Sequence, residues 1–446
     1  MKPPFSRRVP WPAEPNALSS LLAERRRAGL PILNFAESNP TRVGLARDGG
    51  ALLGALAVEA SLRYAPEPRG LPGPREALAA FYAGRGTLPL ARGPAASETA
   101  AWGEAASGAA ASRTANGAAA SGTAGPPAGD AEAAGPLLGP DRFFLCASTS
   151  EAYGWLFKLL CEPGEAVLVP KPGYPLFDYL AGLEGVEARP YRLEYFHPKG
   201  WRIDLESLEA ALADGLARAV VLINPNNPTG SYVGAEERRA VVELAARHGA
   251  ALVVDEVFFG FPLEAESASS FAGEEGVLTF VLDGLSKLLG LPQMKLGWIA
   301  ASGPAPELAE ALGRLEIVAD TYLSAGTPIQ NALPAYLEAA PAFQADLGAR
   351  LKANLRALRL ALEGPESPHR VLRCDGGWSA LLEAPRLLPE EEMAAGLLRE
   401  EGLQTHPGYF FDMEREAHFM ASLILPPGDL AEAARRYKAY FERLLG

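Results

Sequence analysis

Between residues 142 and 301 the chain alternates short, uninterrupted apolar runs with stretches of helical spacing; AVVLIN at 219–224 and ALVV at 251–254 are the clearest runs. A strand that is apolar at every position has no face for water, so the sheet it joins has to be covered on both sides. Runs at 142–147, 166–170, 186–191, 219–223, 252–257, 278–282 and 296–301 are expected as strands. Helices are expected between them at 151–160, 205–212 and 235–248. The last of these sets Val241, Leu244, Ala245 and His248 on one side and stops at Gly249, a residue suited to ending a helix. Alternating β and α predicts an α/β fold. Its large domain, residues 46–303, is expected to hold a mostly parallel seven-stranded sheet sandwiched by helices.

Past residue 304 the rhythm changes. Helical segments at 306–318, 328–362, 390–401 and 430–445 dominate, with strand-like pieces at 378–383 and 418–425. This predicts a smaller α+β domain over 304–446, with the Pro-rich segment 1–45 packed against it. Residues 91–138 break both patterns: Ala, Gly, Ser, Thr and Pro with almost no large apolar side chain. Such a segment cannot offset its ordering entropy and is expected to be a disordered insertion in the large domain.

Composition excludes several classes of function. The formal charge is −13, which disfavours nucleic acid and anionic membranes as partners. No apolar run is long enough to span a bilayer, and the basic N-terminus MKPPFSRRVPWPAEP is followed by no apolar leader. The 3 cysteines, Cys146, Cys161 and Cys374, are too scattered for a disulfide framework or a zinc site, so no metal is expected and a cytoplasmic location is the default.

Several short motifs carry chemistry. Lys287, in LDGLSKLLGLPQMKLGW, follows an apolar strand, where desolvation favours the neutral amine that Schiff-base chemistry needs. Asp255 ends the strand ALVVD, and a buried carboxylate there calls for a cationic partner. NPNNPTG, residues 224–230, forces a turn that can present Asn227 at the carboxyl edge of the sheet, where open α/β sheets bind ligands. Ser148, Thr149, Ser150 and Glu151 open a helix; hydroxyls and backbone N–H groups at a helix start favour an anion. Taken singly, each has a plainer explanation: surface lysine, salt-bridge partner, turn, helix cap.

Their order is distinctive: helix start, PGYP with Tyr174, NPNNPTG, DEV, SK, then Lys295 in KLGW. In this the chain resembles the class I/II aminotransferases, the fold-type-I enzymes that use pyridoxal 5′-phosphate (PLP). RYAPEPRGLPGPREALAAFY, residues 63–82, is similar to the family's dimer-interface segment. The resemblance runs from about residue 33 to 445 outside the insertion. It implies that Lys287 joins PLP as an imine, Asp255 pairs with the pyridine nitrogen, and Asn227 bonds the ring oxygen. It likewise implies that Tyr174 stacks on the ring, and that Ser148, Thr149, Ser150 and Lys295 hold the phosphate. Tyr64 would reach the phosphate of a neighbouring subunit, which implies a homodimer with shared active sites. The implied activity is transfer of an amino group from a small-molecule amino donor, an amino acid, to a 2-oxo acid acceptor by a ping-pong Schiff-base mechanism. A PLP lyase or decarboxylase is the alternative, and a non-catalytic PLP-binding regulator a remoter one.

The chain departs from the family pattern at four positions. Phe258 stands where a tyrosine donates to the ring oxygen, Lys295 where an arginine binds phosphate, and Gly284 where a serine is common. Met420, in AHFMASLIL, stands where an arginine grips the substrate carboxylate. Arg42 in SNPTRVGL, with Asn39 beside it, is the expected substitute at the active-site mouth, and His406 a second one.

Overall fold

The computed structural model describes residues 5–6, 8–11, 16–85 and 138–446. The expected insertion at 91–138 lies outside the described residues, Leu138 excepted. The central sheet is built from β1 (Phe143–Cys146), β2 (Ala166–Lys171), β3 (Glu187–Phe196), β4 (Gly200–Ile203), β5 (Ala217–Ile223), β6 (Ala251–Asp255), β7 (Thr279–Gly284) and β8 (Gly297–Ser302). Its spatial order is β1-β8-β7-β6-β5-β2-β3-β4. The neighbours from β7 through β6, β5 and β2 to β3 run parallel. Antiparallel pairings add β8 and β1 on one side and β4 on the other.

All seven expected strands form, and the sheet is α/β and helix-covered as expected, but it has eight strands rather than seven. The added strand, β4, folds back as a hairpin on the end of β3, pairing Leu193 with Ile203 and Phe196 with Gly200. Four residues of sequence GWRI, opened by a glycine at φ 93°, carry too little pattern to announce a strand. The helix Phe177–Glu184 was likewise not expected.

Adjacent strand residues point to opposite faces, and both faces are filled. Val167, Val169, Val221, Val253, Phe280 and Leu282 face the core shared with Leu156, Phe157 and Leu315. Leu168, Val220, Leu222, Leu252, Val254 and Val281 face the larger core, which includes Leu78, Leu208, Val241 and Leu333. This two-sided burial is why AVVLI and ALVV are apolar throughout.

A second, antiparallel sheet comprises β9 (Arg370–Val371), β10 (Ser379–Glu383), β11 (His406–Pro407) and β12 (His418–Ser422) in the order β9-β10-β12-β11. Helices Glu390–Glu401 and Pro427–Leu445 pack with it through Leu397, Tyr437 and Phe441. The N-terminal segment joins this region: Leu33–Asn34 pairs in parallel with Leu403–Gln404, and the Ser422 N–H donates to the Phe35 carbonyl at 2.7 Å. The long helix Thr327–Leu362 ties β12 in place. Asn354, buried on that helix, donates from Nδ2 to the carbonyls of Leu423 and Leu425, both at 2.8 Å. Replacing it with leucine strands two buried acceptors, each worth about 1–3 kcal/mol. Asn354→Leu is therefore expected to lower the urea midpoint of unfolding, and an unchanged midpoint would show that the clamp is idle.

Candidate active site

Because β1 runs in the direction of the parallel strands, its carboxyl end lies along one edge of the sheet with those of the parallel strands, and five of these ends carry the motifs: β1, β2, β5, β6 and β7. The helix start 148–151, PGYP, NPNNPTG, DEV and SK follow these five ends in turn. The register places Ile223 opposite Asp255, and the Asn224 N–H donates to the Asp255 carbonyl at 2.8 Å. Topology thus gathers segments far apart in sequence.

Asp255 is the charged centre of this edge. It is buried, and its Oδ1 accepts from the Val257 N–H at 3.1 Å while Oδ2 accepts from the Tyr153 hydroxyl at 3.1 Å. Burial pushes its carboxyl up to about 6, against the downward pull of these two hydrogen bonds and of Lys287; Asp283 adds to the rise. Lys287 lies in the short helix Leu285–Leu288 that follows β7. Its Nζ sits 5.4 Å from the Phe258 ring centre and 5.1 Å from that of Trp378. Burial lowers its pKa, with Asp255 opposing. Phe258 packs edge-to-face on Trp378, ring centres 5.5 Å apart. The position that carries a tyrosine in the family is therefore a hydrophobic wall beside the amine.

Asp255 and Lys287 line one cavity of about 350 Å³, together with Thr149, Ser150, Tyr174, Asn227, His406 and Met420. The structure brings these expected residues together. Five others it places elsewhere. Ser148 is the helix cap: its Oγ accepts from the Glu151 N–H at 3.2 Å, so the local capping bond uses the hydroxyl expected to bind phosphate. Lys295 is exposed after a turn, with a left-handed φ of 53°, and does not line the cavity. Arg42 is exposed and outside the lining. Asn39 closes a local turn instead, its Oδ1 accepting from the Thr41 N–H at 3.0 Å and hydroxyl at 2.7 Å. Tyr64, 83% exposed, lines a different cleft with Trp155 and Ser324.

Gly284 also has a local reason. A Cβ there would meet the Leu296 carbonyl oxygen at 2.9 Å and the Gly297 Cα at 3.0 Å, so a serine does not fit without a shift. Residues not anticipated in the cavity include Tyr153, Trp378, Glu37, Ser38, Phe410 and Phe411. Tyr153 stands four residues after Thr149, one helical turn on, which is a legible spacing. Trp378 and Phe410 come from the second sheet and its loops, and no local motif marks them.

The family model for aminotransferases of class I and II matches residues 132–436. The chain belongs to this family. It is 37% identical over 209 residues to the S-alkyl-thiohydroximate lyase of Arabidopsis thaliana, covering 46% of this chain and 44% of the lyase. It is 30% identical over 323 residues to nicotianamine aminotransferase B of Hordeum vulgare, covering 69% of this chain and 57% of that protein. The matched stretch is thus about half the length of these two relatives. Among solved structures, the alanine aminotransferase of Pyrococcus furiosus shares the fold at a TM-score of 0.79 and 19% identity, with 98% of this chain and 100% of that chain covered.

Enzymes of this family depend on PLP, and the donor set of the cavity fits that group. A buried, weakly basic amine can take an aldehyde, and Asp255 can neutralise a protonated ring nitrogen. The amide of Asn227, the ring of Tyr174 and the hydroxyls of Thr149 and Ser150 at a helix N-terminus offer contacts for a ring oxygen, a ring face and a phosphate.

The buried Asp255 has a measurable consequence. Its folded value of about 6 lies above the ordinary 3.8, so the cofactor-free fold binds that proton more tightly than the unfolded chain. The cost is absent below about pH 4, grows as pH rises through 6, and reaches about 3 kcal/mol at pH 7. Cofactor-free Asp255→Asn is expected to be more stable than wild type to urea at neutral pH, with the gap closing near pH 4. A gap independent of pH would contradict this.

Proposed function

We propose that the protein is a PLP-dependent aminotransferase that moves an amino group between an amino acid and a 2-oxo acid in ping-pong fashion. The reading rests chiefly on one observation: a burial-depressed amine, Lys287, and a buried carboxylate, Asp255, line the same cavity at the carboxyl edge of the sheet.

When bound, PLP supplies an aldehyde for the amino group and a ring that absorbs the charge left at the substrate Cα. The residues divide the remaining work. Lys287 Nζ would hold the group, and as a free amine it would take the substrate Cα proton as general base. Burial makes this amine less basic than an ordinary lysine, with Asp255 opposing. Asp255 holds a proton on the ring nitrogen, and the Tyr153 hydroxyl with the Val257 N–H fixes the carboxylate that does so. Asn227 offers its amide to the ring oxygen, a role that matters more because Phe258 has no hydroxyl. Thr149 and Ser150, with the helix N-terminus, receive the phosphate. Trp378 and Phe258 keep water from the amine.

The remaining proposals concern organisation. Residues 46–303 form the cofactor-binding domain, and 304–446 with the segment 1–45 form the smaller one; the separate antiparallel sheet supports this. The active form is a homodimer in which the exposed Tyr64 reaches the partner's site. Among the described residues no helix is long and apolar enough to cross a membrane, and we place the protein in the cytoplasm.

A PLP lyase is the second reading, favoured by the 37% identity to the plant lyase and by Met420 in the cavity wall. Spectroscopy separates them. An amino donor converts a transaminase to the amino form of the cofactor, with loss of visible absorbance, whereas a lyase regenerates the aldehyde form each turnover. Lys287→Ala is expected to abolish both the visible absorbance of lysine-bound PLP and turnover. Retention of both would refute the role given to Lys287.

A further inference from the structure

An amino acid brings a carboxylate into the cavity, and a carboxylate taken out of water without a cation is costly. Among the lining residues, two side chains can carry positive charge, Lys287 and His406. Lys287 is committed to the cofactor under the aminotransferase reading, on which this inference rests, and Arg42 is exposed outside the lining. We propose that His406 receives the substrate carboxylate.

The geometry supports it at three points. His406 opens β11 and is the direct cross-strand partner of Met420 on β12, and both line the cavity. The imidazole thus stands beside the position where the family resemblance calls for an arginine, carried by the neighbouring strand instead. Its ring is braced by Phe410 and Phe411, with centres 5.6 and 6.3 Å away. Among the described residues neither ring nitrogen is spent on a hydrogen bond, and neither is sealed off as an unpaired buried atom.

Charge completes the argument. Burial favours the neutral ring, while Glu37, also in the lining, favours the protonated one. Glu37 is itself fixed by the Asn39 N–H at 2.9 Å and Asn34 Nδ2 at 3.4 Å. An entering carboxylate adds a second negative charge beside the imidazole, which then takes up a proton from solvent and pairs with it. The nearby Ser422 hydroxyl is already committed, donating to the Glu37 carbonyl at 2.6 Å.

The test uses the holoenzyme and two probes that differ by one carboxylate, 2-aminoisobutyrate and isopropylamine. The first has no Cα proton to lose, so its binding is read from the cofactor spectrum without turnover. His406→Phe keeps the packing against Phe410 and Phe411 but removes both nitrogens. It is expected to weaken 2-aminoisobutyrate about 10- to 100-fold and leave isopropylamine unchanged. His406→Gln, which keeps a neutral donor, should fall between, and adding Met420→Arg to His406→Phe should restore affinity. For turnover of an amino acid donor, KM should rise with kcat retained. Equal loss for both probes, or no loss for either, overturns the assignment. If the carboxylate pattern holds while no amino acid ever yields the amino form of the cofactor, His406 stands and the aminotransferase reading falls.

Discussion

A carboxylate closed off from water at the end of β6 is the constraint on which the rest of the site depends. Asp255 sits there because AVVLI and ALVV are covered on both faces, and the parallel register brings the ends of β5, β6 and β7 to one edge. Such a charge is unfavourable in isolation. The structure lessens that cost only partly, with one hydroxyl and one backbone N–H, and the carboxyl stays well above its ordinary pKa. A bound cation is what would relieve it, and a protonated pyridine is such a cation. The same burial depresses Lys287, so one feature, exclusion of water at the sheet edge, prepares both the electrostatic partner and the nucleophile.

The second sheet closes this edge with a different kind of surface. Trp378, Met420, His406 and Phe410 reach the cavity from β10–β12 and their loops, and the N-terminal strand pairing brings Glu37 and Ser38 to the same space. The residues that fit the cofactor thus stand at the carboxyl edge of the parallel sheet, while the opposite wall of the cavity comes from segments whose pairing is short. The Glu390 carboxylate holds one of these segments, accepting from the Tyr409 N–H at 2.9 Å and the His418 N–H at 2.8 Å.

How far the site was legible follows from where each residue stands. Asn227, Asp255 and Lys287 come directly after apolar strands, so pattern and position coincided in the sequence. Thr149 and Ser150 followed from the helix start, but Ser148 did not, because capping is a local competitor for the same hydroxyl. Asn39 lost to the same kind of competition in its turn. Lys295 is suggested by its spacing from Lys287 and Arg42 by its segment, but both are exposed and outside the cavity lining. Trp378 lies 91 residues beyond Lys287, and its approach depends on pairing between β10 and β12 that no local period encodes; His406, 119 residues beyond, is legible in the sequence only as a second substitute for the missing arginine, and pairing of β11 with β12 is what sets it beside Met420. Strand β4, four residues long, is too short to show a pattern in the sequence.

The central claim is that one particular lysine of the 8 in this chain carries the cofactor. Borohydride reduction of the PLP-loaded protein, followed by proteolysis and mass spectrometry, tests it directly. The account predicts a phosphopyridoxyl group on Lys287 and on no other lysine. A label on Lys295 or any other lysine instead, or a reduced protein carrying none, would contradict it.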